Sequence, residues 1–246
     1  MIFYLLGPVR AEVDGNDVIL GGEKQRTVLA SLLVNENRSL SNDRLAQLLW
    51  DTKPPNTANA QIHTYMSRLR GKLSPYASIL RQHHGYLLRT GDCRIDYKEF
   101  NCLVRRAQDA LADGHFSTAA RGFRASLELW KGTALTDVTT YLHDKIGPAW
   151  EETRMAALEG RIRAELQLGL HARLVPELTE LVQEYPYREE LRAHLMTALY
   201  LSGRQADALS VYEEGRRILV EEVGVDPGEV LVRTHLAVLR GYDRRL

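Results

Sequence analysis

The segment from Thr57 to Leu73, TANAQIHTYMSRLRGKL, is the feature that most limits what this chain can fold into. It follows two prolines, Pro54 and Pro55, which end any preceding helix. Its apolar residues recur at helical spacing and predict an amphipathic helix with one buried stripe: Ile62, Met66, Leu69 and Leu73. The opposite side carries small and polar residues around one long cation: Ala60, Thr64, Ser67, Arg68 and Gly71. No Asp or Glu occurs in the segment, whereas an ordinary solvated helix is rich in acids paired with bases.

The segments around this helix predict the rest of a small domain. Three short β-rich pieces come first, IFYLL, RAEV and DVIL, and DGND between the last two predicts a hairpin. Helices are predicted over Glu23–Asn35 and from an N-cap at Ser41 to the break at residues 51–56. After the third helix, ASILRQ and YLLRT predict a two-stranded wing with its turn at His83-His84-Gly85. Residues 1–96 are therefore predicted to form an α+β winged helix-turn-helix domain, with an N-terminal β platform, three helices and a C-terminal wing.

The rest of the chain, residues 97–246, is helical throughout by its pattern. Two segments, LQLGLHARLVPELTELVQEYP and LYLSGRQADALSVYEEGRRIL, each place a glycine at a helix-helix turn. Gly169 and Gly203 lie 34 residues apart, which is the period of tetratricopeptide repeats, and a looser copy surrounds Gly114. Such helix pairs stack because none buries its apolar face alone. The second domain is therefore predicted to be all-α and TPR-like, an architecture commonly used as a docking surface.

Charge is distributed unevenly along a chain whose net charge is zero. Residues 1–98 carry 13 Lys and Arg against 9 Asp and Glu, a net charge of +4, while the remainder carries −4. A basic front half favours an anionic partner for that half. Two cysteines without a CxxC pattern indicate neither a disulfide scaffold nor a thiolate metal site. No apolar run approaches the ~20 residues of a membrane span, and no signal peptide is evident, so we expect a cytoplasmic protein without a membrane partner.

Catalytic and cofactor-binding patterns are not found in the sequence. It contains no HExxH, GxSxG or GxxxxGK[ST] motif. The pair His83-His84 lacks the further ligands at fixed spacing that a metal site needs, and GGEKQRT lacks the P-loop spacing. We therefore expect no enzymatic activity, no cofactor and no metal.

The outward face of the third helix fits the major groove of DNA. That groove admits one helix if its outward side chains are not all bulky, and Arg donates two hydrogen bonds to a guanine edge. Thr64, Ser67 and Arg68 are accordingly predicted to read bases, and Arg70 and Lys72, on the flanks, to meet phosphates. The alternative is a surface helix of a domain that binds nothing charged. Its position, third in its bundle and before a basic hairpin, favours DNA contact.

A family resemblance extends over nearly the whole chain. Residues 1–96 resemble the OmpR-type winged helix, including the GY pair that follows the wing. The chain as a whole resembles the antibiotic regulatory proteins of actinomycetes, the SARP family, whose rear half is a bacterial transcriptional activation domain. The sequence segments that carry the resemblance in the front half are LLW at 48–50, PPNTA at 54–58, YMSRLRGKL at 65–73, GYLL at 85–88 and DYKEF at 96–100. Those in the rear half are LELWKGTALTDV at 127–138, EYPYREELRAHLMTALYLSGRQADALSVYEE at 184–214 and GVDPG at 224–228.

The resemblance implies a transcriptional activator of secondary-metabolite genes that binds direct repeats in double-stranded DNA near promoters. It implies RNA polymerase as a partner, through the sigma factor and other subunits, and a homodimer on DNA. Residue by residue it implies base reading at Thr64 and Arg68 and phosphate contact at Tyr65 and Arg70. The wing residues expected in the minor groove lie at its tip: Arg81, Gln82, His83 and His84. The loop expected to touch polymerase begins with Asp51, Thr52 and Lys53.

One departure from the family pattern concerns Gly71. Related sequences often carry a second basic residue after R-L-R, and here that position is glycine. Either Lys72 takes over the phosphate contact or one contact is missing. Two other functions remain open at this point: a TPR-like protein-interaction module, and a repressor built on the same DNA-binding domain.

Overall fold

The computed structural model describes residues 1–241. Its strands are β1 Ile2–Tyr4, β2 Arg10–Val13, β3 Asn16–Asp17, β4 Leu40–Ser41, β5 Ser78–Gln82, β6 Gly85–Arg89 and β7 Arg94–Ile95. Its helices are α1 Glu23–Val34, α2 Asn42–Trp50, α3 Ala58–Leu73, α4 Asp96–Ala112, α5 Phe116–Leu127, α6 Thr140–Gln167, α7 His171–Glu184, α8 Glu189–Leu201, α9 Gln205–Ile218 and α10 Glu229–Arg240, with a π-helical turn at Leu219–Val223. The chain forms two compact units, residues 1–105 with 125–155, and residues 106–124 with the chain from Ala156 onward.

The N-terminal platform is a four-stranded sheet in the order β3-β2-β1-β7. β2 and β3 are joined by the predicted hairpin turn, in which Asp14 and Gly15 both have positive φ, as a two-residue turn between twisted strands requires. The predicted third strand over DVIL is wrong, because β3 ends at Asp17. Beyond it Ile19 is 83% exposed while Leu20 is buried, so the chain leaves the sheet to bring Leu20 into the core.

Three helices pack on one another to form the core of the first unit. α2 begins as predicted at Ser41, whose hydroxyl accepts a hydrogen bond from the Arg44 N–H at 3.2 Å. α3 buries the predicted stripe completely: Ile62, Met66, Leu69 and Leu73 are each 0% exposed. Since α3 is fixed by four buried side chains on one face, its opposite face is presented to solvent.

The wing is part of a second sheet, in the order β4-β6-β5. Gln82 pairs with Gly85, so the turn consists of His83 and His84 alone. A Cβ at Gly85 would lie 2.0 Å from the carbonyl oxygen of Leu40 on β4, so only glycine lets the two strands approach this closely. The glycine of the GY pair is therefore required by the contact of the wing with β4.

A segment between α5 and α6 is built into the first unit, although it lies far along the chain from the platform. The Lys131 N–H donates to the carbonyl oxygen of Leu6 at 2.7 Å, and the Leu135 N–H donates to that of Gly7 at 2.8 Å. The hydroxyl of Thr139 donates to the Leu48 carbonyl near the C-terminus of α2, at 2.6 Å. The domain boundary at residue 96 stays a prediction, and the compact unit that holds the winged helix includes residues 125–155.

The buried carboxylate of Asp96 joins the start of α4 to the platform. It accepts hydrogen bonds from the N–H groups of Leu5, Leu6 and Tyr97, at 2.7–3.0 Å. Burial raises the pKa of Asp96 above its ordinary value, and the three donors act in the opposite direction. The first residue of the DYKEF segment, Asp96, thus connects the end of β1 to the start of α4 by hydrogen bonds.

The second unit consists of helices joined by tight turns. Gly114, Gly169 and Gly203 follow the alternate helices α4, α6 and α8 with φ of 74°, 75° and 79°, the left-handed conformation that glycine adopts without strain. α8 packs against α7, α9 and α10, and its side chains are buried along most of its length. The helix-turn-helix repeats predicted from the 34-residue spacing are present. No helix within residues 1–241 is both long and apolar enough to cross a membrane.

Candidate nucleic-acid interface

The outward face of α3 presents the predicted base-reading residues together. Thr64, Ser67 and Arg68 are all exposed on consecutive turns, beside exposed Ala60 and Gly71. A shallow hollow of about 300 Å³ is lined by Ala60, Gln61, Thr64, Tyr65 and Arg68. Because the ridge has small side chains at both ends, another surface can approach the helix closely at this hollow.

Arg68 is a cation without a protein partner. Among residues 1–241 no side chain or carbonyl forms a hydrogen bond or ion pair with its guanidinium. Its five N–H donors are therefore available to a base edge or a phosphate. Thr64 differs, because its hydroxyl donates to the carbonyl of Ala60 at 2.9 Å and retains only its acceptor capacity.

The predicted phosphate contacts have structural roles that the sequence does not reveal. Arg70 is half-buried: its Nε donates to the Ile79 carbonyl at 2.8 Å, and its guanidinium lies 5.7 Å from the centre of the Tyr86 ring. Lys72 donates a hydrogen bond to the carbonyl of Ile19. Arg70 thus holds the wing to α3 and keeps other N–H groups for an external partner, and Lys72 gives one of its three N–H donors to Ile19 and keeps the other two.

Two polar residues at the start of α3 were missed by the sequence analysis. Gln61 lines the hollow and donates to the Thr57 hydroxyl at 3.0 Å, and its amide oxygen lies 3.5 Å from the Tyr65 hydroxyl. Asn59 is exposed, and its side-chain oxygen accepts from the Asn42 side chain of α2 at 3.2 Å. Helical phase places both residues on the flanks of α3 and not on the outward ridge, so the ridge pattern alone does not find them.

The wing tip carries the four residues predicted for the minor groove. Arg81, Gln82, His83 and His84 are all exposed, and the two imidazole rings lie 4.4 Å apart at 48°. The Asn42 N–H donates to the His84 carbonyl at 3.0 Å, which fixes the tip to the first turn of α2. The wing tip is therefore joined to α2, and it belongs to the same compact unit as α3.

The loop between α2 and α3 contains a strained turn. Asp51 has φ 55° and ψ −118°, and the Lys53 N–H donates to the Trp50 carbonyl at 3.1 Å. These values define a β-turn that normally requires glycine at its first central position. Asp51, Thr52 and Lys53 are all exposed. The loop is therefore a rigid, outward-pointing feature separate from the face of α3.

Comparisons with known proteins agree with this architecture. A family model described as "Bacterial transcriptional activator domain" matches residues 95–239, and one described as "Transcriptional regulatory protein, C terminal" matches residues 15–88. The regulatory protein DnrI of Streptomyces peucetius is 34% identical over 99% of this chain and 95% of its own length. The chain belongs to the SARP family. Proteins of this family are transcription regulators and not enzymes, and the predicted fold class is confirmed.

Other SARP relatives are much longer. The regulatory protein AfsR of Streptomyces griseus is 39% identical over 98% of this chain, which spans 25% of AfsR. The solved structure titled Mycobacterium tuberculosis EmbR in complex with low affinity phosphopeptide superposes with a TM-score of 0.91 at 35% identity. It covers 97% of this chain, which spans 64% of the EmbR chain.

The structure does not point to a metal centre in this SARP chain. No group of three or more His, Cys, Asp or Glu side chains in the described range is placed to hold a metal ion. The two cysteines, Cys93 and Cys102, are free thiols.

Proposed function

We propose that this chain is a sequence-specific transcriptional activator of a secondary-metabolite gene cluster. It binds direct repeats in double-stranded DNA near a promoter, as a homodimer on DNA, and recruits RNA polymerase through the sigma factor and other subunits. The observation that carries the proposal is the outer face of α3, which has no acid, a slim ridge and a cation, Arg68, that has no partner within residues 1–241.

On DNA we assign base contacts to Thr64, Ser67 and Arg68. Tyr65 and Arg70 contact phosphate from the flanks of α3, and Lys72 joins them with the N–H donors that the Ile19 carbonyl does not use. The wing tip enters the minor groove through the residues that surround its turn: Arg81, Gln82, His83 and His84. Phosphate neutralisation releases counterions, so the affinity falls steeply with salt concentration.

Genome-wide occupancy followed by transcription in vitro on the best site tests the proposal as a whole. We expect occupancy at paired repeats, two chains bound per operator, and stimulation of transcription by purified polymerase. Scrambling one repeat should reduce both the stoichiometry and the stimulation. Lowered transcription at an occupied promoter favours the repressor built on the same domain. No binding to any promoter repeat at ~0.1 M salt favours the TPR-like interaction module instead.

The polymerase contact is tested separately from DNA binding. We assign it to the strained loop, in which Thr52 and Lys53 project from a rigid turn. Replacing both by alanine should leave the footprint unchanged and reduce stimulation, because neither side chain lies on the outer face of α3. Full stimulation by this double variant would remove the loop from the polymerase interface.

A further inference from the structure

A cleft on the helical unit has the composition of a ligand site. α7 and α9 both pack on α8, and between them lies a cleft of about 520 Å³ floored by α8. This volume falls within the ~300–1,000 Å³ of small-molecule sites. Half of its fourteen lining residues are apolar, among them Val182, Leu195, Leu199, Val211 and Ile218, and the other half are polar or charged.

Two guanidinium groups line the cleft, and they differ in burial: Arg204 is exposed and paired with Asp207 at 2.6 Å, whereas Arg192 lies among the apolar side chains. The Arg192 side chain on α8 is only 3% exposed and lines the cleft. Its polar contacts within the described residues are long: Nη1 donates to the Val211 carbonyl at 3.3 Å and Nη2 to the Pro186 carbonyl at 3.4 Å. The nearest carboxylate, Glu214, lies at 3.7 Å and is 60% exposed. Most of the hydrogen-bonding capacity of this buried cation is therefore unmet.

The backbone around Arg192 is adapted to its side chain. Gly215 on α9 faces it, and a Cβ at that position would lie 2.2 Å from the Arg192 Cδ. Glycine there leaves room for the stem of the arginine beside α9. Burial lowers the pKa of the guanidinium below its ordinary value, so its charged form is disfavoured by its surroundings and stabilised by a closer anion.

We propose that this cleft binds a small carboxylic acid with an apolar body, whose carboxylate pairs with Arg192 and displaces Glu214. A planar carboxylate matches the guanidinium fork and supplies the two short hydrogen bonds that are missing. The aliphatic walls take the apolar body out of water. A free acid is favoured over a peptide because two helices wall the cleft, a third closes its floor, and Arg192, its buried cation, has no carboxylate within hydrogen-bond distance among the described residues.

The test uses the whole chain and a series of linear monocarboxylates from butyrate to decanoate, with 1-octanol and octylamine as neutral and cationic matches for octanoate. Calorimetric titration should show saturable binding of at least one acid, with octanol weaker by about tenfold or more and no binding of the amine. Arg192→Gln should abolish the preference for the acid over the alcohol. A thermal melt should show whether this variant remains folded.

A second variant keeps the proposal testable if Arg192→Gln does not fold. Glu214→Gln removes the competing carboxylate from an exposed position and should tighten acid binding several-fold without affecting the alcohol. Glu213→Gln, a neighbouring exposed position on the same helix that does not line the cleft, is the matched control and should change nothing. Equal affinity for acid and alcohol, an unchanged affinity in Glu214→Gln, or saturable binding by none of the acids would each overturn the proposal. Binding of an acidic, leucine-rich peptide but of none of the acids would assign the cleft to a protein partner instead.

Discussion

Gly71 is the position at which the effect of a substitution on both folding and DNA binding is clearest. It lies on the exposed face of α3, its φ is not positive, and a Cβ there would meet nothing within 4 Å. Glycine inside a helix is less stable than alanine by about 0.8–1.0 kcal/mol, and lysine is close to alanine. Both Gly71→Ala and Gly71→Lys should therefore raise the free energy of unfolding by about 1 kcal/mol, which corresponds to a rise in Tm of roughly 2–4 °C.

The two substitutions should differ on DNA. Lys72 is held at the Ile19 carbonyl, and position 71 itself, where the phosphate contact after R-L-R is implied, carries no cation. Gly71→Lys adds one and should steepen the slope of log K against log salt by about 0.9 while strengthening binding to all sequences. Gly71→Ala, the matched control, should leave the slope unchanged.

Differential scanning calorimetry and fluorescence anisotropy at several salt concentrations measure the two effects. Failure of Gly71→Ala to raise Tm would contradict the placement of this residue inside an unobstructed helix. An unchanged salt slope in Gly71→Lys would show that position 71 points away from the phosphate backbone, and the proposed orientation of α3 on DNA would then be wrong.

Three further predictions concern other parts of the chain. Asp51→Gly should stabilise the fold by about 1 kcal/mol in chemical unfolding, because glycine adopts this turn without strain, whereas Asp51→Ala should not. Thr139→Val should lower the free energy of unfolding by about 1–3 kcal/mol, because the Leu48 carbonyl loses its buried hydrogen-bond donor. Thr139→Ser keeps the hydroxyl and should retain most of that stability. Burial, with Arg163 nearby, lowers the pKa of His194 from 6.5 to about 4. The folded protein therefore favours the neutral imidazole, and the free energy of unfolding should be highest above pH 6.5 and fall by up to about 3 kcal/mol as the pH drops toward 4. His194→Gln should flatten that pH dependence in melts recorded between pH 4 and 7.

Local periodicity predicted the elements that carry the site. The stripe of α3 was readable because four apolar residues at helical spacing are buried together, and Ser41 was readable because its hydroxyl caps the helix that it precedes. The hairpin turn at Asp14-Gly15 was readable from residues that tolerate positive φ.

Contacts between distant parts of the chain were not predictable in this way. The pairing of the Lys131 and Leu135 amides with the strand end at residues 5–7 joins segments more than a hundred residues apart, and no local pattern in either segment indicates that the two meet. The parallel strand β7 has only two residues, too few to show alternation. For the candidate site the same limit applies: the face of Arg70 follows from helical phase, but its bond to Ile79 depends on the position of the wing.

Quantitative footprinting of Arg68→Ala on the strongest genomic site tests most directly the central claim that α3 reads DNA. Arg216→Ala, an exposed arginine on α9, removes the same charge from the helical unit and is the matched control. We expect Arg68→Ala to weaken the binding free energy for the specific site by about 1–3 kcal/mol and to reduce the base preference at one position of that site. Arg216→Ala should bind with the affinity and base preference of the parent chain. An unchanged footprint and unchanged base preference in Arg68→Ala would contradict the assignment of α3 as the recognition helix.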